Sequence, residues 1–169
     1  PEGIEEIETF AFHAKKELKS AIIPDTVKKI GMYAFCGCEN LEVLSLPQEL
    51  EFIGRRAFEN CKKLRSLVMP DSVKEMGENA FMGCKNLKSV IFYSEAEFDP
   101  NTQTEEDDEE ETPENGEITE EVEFIPLTVY KNAFASCLKL ESVIFPDSLV
   151  KIDESASKGC ASLAEVGFG

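Results

Sequence analysis

Apolar residues recur along this chain on a ruler of 23 residues rather than on a single helical or strand period. Its clearest mark is Ala-Phe, at Ala11-Phe12, Ala34-Phe35, Ala57-Phe58 and Ala80-Phe81, each pair 23 residues after the last. The register then slips by 53 residues to Ala133-Phe134 and resumes 23 later at Ala156, where Ser157 replaces the aromatic. A constant period of this size predicts a solenoid, in which no repeat buries its apolar side without a neighbour.

Each period divides into two parts. The first reads Val-x-x-Ile-Gly-x-x-Ala-Phe, as Val27, Ile30, Gly31, Ala34, Phe35 and again as Val73, Met76, Gly77, Ala80, Phe81. The second reads Cys-x-x-Leu-x-x-Val-x-Phe-Pro, as Cys61, Leu64, Leu67, Met69, Pro70 and as Cys137, Leu140, Val143, Phe145, Pro146. Its closing alternation predicts a short strand with the last apolar residues pointing inward. Strands stacked at about 4.8 Å then form a parallel ladder, each inward side chain beneath its counterpart. The proline after the strand lacks a donor and is expected to stop the ladder. The Asp of Pro24-Asp25, Pro70-Asp71 and Pro146-Asp147 favours a turn. Val-x-x-Ile-Gly supplies a second short extended piece, its Gly permitting a bend or left-handed backbone. Ala-Phe-x-x-Cys-x-x-Leu leaves room for a bend or one helical turn, with Phe filling the centre of each coil.

The combination Ile-Pro-x-x-Val-x-x-Ile-Gly-x-x-Ala-Phe-x-x-Cys-x-x-Leu-x-x-Val resembles the BspA-like leucine-rich repeats of bacterial surface antigens, also named after a treponemal protein. Ala21 to Phe92 and Asn132 to Phe168 match closely, Ile4 to Ser20 more loosely. The resemblance implies a leucine-rich repeat solenoid, with short parallel β-strands stacked in a right-handed, curved coil. It further implies a secreted or surface-attached protein, with adhesion or host-protein binding known for some members. It brings no catalytic residue and no cofactor, so the chain is not expected to be an enzyme. The lone His13 and the serines near Ser157 offer no triad either. Tyr93, after which the insertion begins, and Gly169 stand at the proline position, while Asp153 and Ser157 replace the Gly and Phe of the last unit. Terminal units of a solenoid degrade in this way because one side faces water.

Charge changes the picture only locally. The formal net charge of -17 argues against a nucleic-acid partner. Yet Glu95 to Glu123 holds 15 of the 34 acidic residues and none of the 17 basic ones; the remaining 19 acidic and 17 basic residues leave a net of -2. Residues 1–169 therefore read as one nearly neutral repeat domain carrying an acidic, mobile insertion at about 94–122. Glu121 to Pro126 alternates like a strand and is expected to return as one rung. Pro126 precedes Ala133 by seven residues where Pro47 precedes Ala57 by ten, so that rung should be distorted. No apolar run approaches the roughly 20 residues that span a bilayer, and no direct membrane insertion is expected. The opening residues fit the second half of a unit, so the chain reads as starting within the array.

Cys38, Cys61 and Cys84 lie 23 apart, as do Cys137 and Cys160. Five of six cysteines thus share one repeat position, which favours buried free thiols over a disulfide framework. Cys36-x-Cys38 has no second pair to complete a zinc site, and no metal is expected. The acidic run Glu105, Glu106, Asp107, Asp108, Glu109, Glu110 and Glu111 has three readings. It solubilises the surface, recruits a basic partner, or binds calcium, for which it lacks the spaced ligands of a calcium loop. The favoured reading is the first.

Inward assignment of the strand residues leaves an outward column of Ile22, Ser45, Val68, Ile91, Ile144 and Gly167. Its β-branched members form a candidate protein-binding stripe, although sheet propensity selects the same residues. Lys19, Glu42, Arg65, Lys88 and Glu141, one place after the stacked Leu, read as a rim of mixed sign. Three functions remain open: an extracellular protein-interaction module, such as an adhesin segment; a spacer without a dedicated ligand; or a carbohydrate-binding surface, disfavoured because the proposed face has no aromatic platform.

Overall fold

The computed structural model describes residues 3–93 and 126–168, so the acidic run Glu105 to Glu111 lies outside the described residues. Twelve short strands follow one another among them: β1 (Glu6–Ile7), β2 (Ser20–Ile22), β3 (Lys29–Ile30), β4 (Val43–Ser45), β5 (Phe52–Ile53) and β6 (Ser66–Pro70). After these come β7 (Glu75–Met76), β8 (Ser89–Tyr93), β9 (Leu127–Val129), β10 (Ser142–Phe145), β11 (Leu149–Ile152) and β12 (Glu165–Phe168). The odd strands build one parallel sheet in the order β1-β3-β5-β7-β9-β11. Its register is set by the ruler, with Ile7 beside Ile30, Ile30 beside Ile53 and Ile53 beside Met76. The even strands form two further sheets, β2-β4 and β6-β8-β10-β12.

The coil stack closes across the insertion. β7 pairs directly with β9 and β8 directly with β10. The rung expected over Glu121 to Pro126 lies, apart from Pro126, outside the described residues. An irregularity lies where β9 meets β11. Leu127 pairs with Leu149 and Thr128 with Lys151, which leaves Val150 over as a bulge.

Between the strands the backbone runs in consecutive turns rather than a helix. Alternate N–H groups have different fates. Ala34, Cys36 and Cys38 donate to carbonyls three residues back, while Tyr33, Phe35 and Gly37 reach Arg55, Ala57 and Glu59 of the next coil. Alternating in this way satisfies every second donor within the coil and the rest between coils. Two left-handed residues per coil make the path close. Tyr33, Arg56, Asn79, Asn132 and Ser155 each precede the repeat Ala; Gly37, Asn60, Gly83, Ser136 and Gly159 each precede the repeat Cys.

Two local expectations need correction. Gly31, Gly54 and Gly77 do not serve as left-handed residues; their positive-φ counterparts are Gly37, Gly83 and Gly159. A Cβ at Gly54 would lie 2.8 Å from the Gly31 carbonyl carbon and 2.9 Å from the Ile30 oxygen, so glycine permits close approach of neighbouring coils. Pro70 does not stop its ladder either. It ends β6 in register with Tyr93, and Asp71 N–H carries the pairing on to the Tyr93 carbonyl at 3.1 Å. Only one of Pro70's backbone groups is missing, and its loss does not end the pairing.

The core is a set of columns along the coil axis. Phe35, Phe58 and Phe81 are buried and stack face to face, with centroids 5.1 and 5.0 Å apart. Ile30, Ile53 and Met76 form one adjoining wall, and Leu41, Leu64, Leu87 and Leu140 another. Among the described residues no helix is long and apolar enough to cross a membrane.

Candidate functional site

The outward positions of the even strands follow from strand geometry: alternate residues face opposite ways, so with Leu67, Met69, Val90 and Phe92 buried their neighbours face out. Ile22, Val68 and Ile91 are 79%, 58% and 42% exposed, while Ile144 is half-buried and Ser45 exposed. Val43 adds a further exposed apolar side chain beside Ser45. Cross-strand register places Ile22 beside Ser45, and Val68, Ile91, Ile144 and Gly167 in one line.

The candidate stripe is nevertheless in two pieces. β4 and β6 belong to different sheets, and a cleft of about 260 Å³ opens between them, lined by Leu44, Ser45, Leu46, Gln48, Ser66, Val68 and Pro70. The two coils stay joined elsewhere, as where Ser72 Oγ donates to the carbonyls of Gln48 and Leu50. Nothing in the repeat pattern marks this break, because both strands obey the same period.

A larger groove, about 760 Å³, runs over the odd-strand sheet. The glycine column Gly31, Gly54 and Gly77 forms its floor, and Tyr130, at the same repeat position in the next coil, bounds it. Phe52 and Met32 present apolar surface on its walls. Lys29 pairs with Glu6 at 2.9 Å and Arg55 with Glu78 at 3.5 Å. Sequence reasoning missed this groove because it read the glycines only as backbone devices. The available signal was Tyr130, a large ring where three coils carry no side chain.

The cysteine column is structural. All six thiols are free, and five are buried. Cys38, Cys61, Cys84 and Cys160 each donate to the carbonyl of the Phe 26 residues earlier, at 3.1 to 3.4 Å; Cys137 reaches Phe81 at 3.2 Å across the insertion. Burial pushes the Cys38 and Cys84 thiols above their ordinary value, so they stay protonated. Cys160 is half-buried, and a hydrogen bond with Cys137 lowers its thiol to about 7. Cys36 points elsewhere, 3.9 Å from Glu59 Oε2, so the Cys36-x-Cys38 pair does not converge. Among the described residues no group of three or more His, Cys, Asp or Glu could hold a metal ion.

Comparison with known proteins agrees with this architecture. A family model described as "BspA type Leucine rich repeat region" matches residues 5–100 and 127–169 in six copies. The crystal structure of a Treponema pallidum leucine-rich repeat protein is similar at 26% identity and TM-score 0.75, covering 97% of this chain and 63% of that one. A leucine-rich repeat protein of Eubacterium ventriosum shares the fold at 20% identity and TM-score 0.65, over 88% of this chain and 32% of its own. One from Bacteroides ovatus does so at 24% and 0.58, over 98% and 41%. The chain thus spans less than two thirds of each of these proteins. A search of curated proteins finds no match. Six repeat copies over most of the chain, and the same coil in solved relatives, make it a member of the BspA-type leucine-rich repeat family.

Proposed function

We propose that this chain is a protein-interaction module of a secreted or cell-surface protein, acting as an adhesin segment through the outward face of its even strands. One observation carries the reading: Val68 and Ile91 lie side by side in register, both exposed, on strands whose inward residues are buried. Ile144 extends this face along the sheet, and Ile22 and Ser45 form a second piece beyond the cleft between β4 and β6. Apolar surface held rigidly in water is what a partner can cover at little ordering cost. The extracellular setting rests on the family, as does the choice of a protein ligand.

The test is capture of host extracellular proteins by the wild-type chain and by a Val68→Glu/Ile91→Glu variant. Both substitutions lie on the exposed face, so the variant should keep its melting temperature and lose its captured partner. Undiminished capture by a folded variant would remove this face from the function.

A carbohydrate ligand is the second reading, and the glycine-floored groove supports it. Phe52 and Tyr130 give that sheet the aromatic surface absent from the stripe. Sugar binding there would survive the Val68→Glu/Ile91→Glu change and fail on Phe52→Ala.

A further inference from the structure

Among the described residues, ten of the 17 Lys and Arg side chains have a carboxylate within ion-pair distance. Three of those that do not, Arg65, Lys88 and Lys139, share one cleft. Its volume is about 380 Å³, and Lys63 and Asn86 complete the lining. It crosses the three successive coils that carry Cys61, Cys84 and Cys137. No carboxylate lines it. Glu42 holds Lys63 at 3.2 Å from the rim, and Glu42 and Glu141 bracket Arg65 and Lys88 in their repeat column. The rim expected to be of mixed sign therefore contains a like-charge pair, Arg65 and Lys88 on adjacent coils, joined in the cleft by Lys139 of the following coil.

We propose that this cleft binds one tetrahedral oxyanion, a sulfate or phosphate group. Three cations without a carboxylate partner around one small volume repel one another until an anion neutralises them. Donors arriving from three coils suit an acceptor whose oxygens point in several directions; a planar carboxylate would be served by the Arg65 fork alone. Asn86 Nδ2 donates to the Lys62 carbonyl at 2.7 Å, which pins that wall of the cleft. No aromatic side chain lines the cleft, so it offers no platform for a nucleic-acid base. The flanking Glu42 and Glu141 end the positive column on both sides, which limits the site to one anionic group rather than a long polyanion. This site shares no residue with the stripe Val68 and Ile91, so it stands or falls separately from the reading above.

The test is an NMR titration of the whole chain with galactose 6-sulfate, galactose 6-phosphate, inorganic sulfate, sodium acetate, and sodium chloride at matched ionic strength. Saturable shifts at the Arg65, Asn86, Lys88 and Lys139 amides are expected with inorganic sulfate and with the two esters, at least tenfold tighter than with acetate; tighter binding of the esters than of free sulfate identifies a sugar-borne group as the source, and equal binding identifies the free ion. Lys88→Glu, an exposed change that leaves the melting temperature in place, should weaken ester binding at least tenfold. Shifts that merely follow ionic strength, affinity for acetate equal to that for sulfate and the esters, or unchanged affinity in Lys88→Glu would each overturn the proposal. Lys139→Gln provides a second variant with the same expected direction.

Discussion

The rings of Phe81 and Phe134 stack with centroids 5.9 Å apart and planes 14° from parallel, although the acidic segment separates them in sequence. The preceding rings of the column, from Phe12 to Phe81, stand 5.0 to 5.1 Å apart. The column therefore widens at the insertion without breaking. Phe134 N–H donates to the Ala156 carbonyl and Phe81 N–H to Ala133, so the coil-to-coil bonding also passes straight across.

Because coil contacts close around it, the insertion is expected to contribute little to stability. Deleting residues 101–116 should leave the melting temperature within about 3 °C of wild type, with any change upward, since halving a loop lowers its closure cost by about 0.6 kcal/mol. Thermal unfolding followed by circular dichroism measures this. A fall of about 8 °C or more would show that the deleted residues hold part of the fold together.

How far the sequence was legible follows from what a period can encode. The columns Ile30-Ile53-Met76, Phe35-Phe58-Phe81 and Cys38-Cys61-Cys84 were all readable, because repeated side chains of one type at one spacing must stack. The role of Gly54 was misassigned, since a glycine required by close backbone approach looks the same in sequence as one required by positive φ. The left-handed positions went unread because Tyr33, Arg56 and Asn79 share no chemistry. The break between β4 and β6 and the cation cleft depend on relations between coils, as with Arg65, Lys88 and Lys139, where no single column carries the signal.

Phe58 should be among the most costly single truncations. It is fully buried between Phe35 and Phe81, and a cavity there would be walled by two rings already held in their own columns. Phe58→Ala is expected to cost about 3–5 kcal/mol in urea unfolding. Phe12→Ala, at an exposed ring in the first described coil, should cost less than about 1.5 kcal/mol. Equal losses would contradict a column whose strength lies in its interior.

Glycine supplies a sharper contrast. Gly54→Ala places a methyl 2.8 Å from the Gly31 carbonyl carbon and the Met32 nitrogen, backbone atoms that cannot turn aside. It should destabilise by about 1–3 kcal/mol through forced separation of two coils. Gly167→Ala meets only the Ile144 side chain, at 3.5 Å, and should be neutral within about 0.5 kcal/mol. Denaturant midpoints of the two variants decide the matter. A neutral Gly54→Ala would mean that the coils are looser than their contacts indicate.

The cysteine column makes stability depend on alkaline pH, and the sign can be fixed in advance. Cys38 and Cys84 have an ordinary value of 9.0 and are raised above it, in both cases chiefly by burial. Cys137 is raised as well, with the hydrogen bond to Cys160 as the leading cause and burial next. Below pH 9 the thiols are protonated in folded and unfolded chains alike, so their full contribution is present. Above pH 9 the unfolded chain releases protons that the folded chain retains, so unfolding becomes more favourable as pH rises. Cys160 is shifted the other way, so the cleanest background is a Cys160→Ala variant. In it, urea midpoints should hold level between pH 7 and 8.5 and fall steadily from about pH 9 to 10.5. Replacing Cys84 by Ala as well should lower the midpoint at pH 7, through the lost sulfur packing, and make the alkaline fall shallower. A fall of unchanged steepness would place the alkaline sensitivity outside the thiol column.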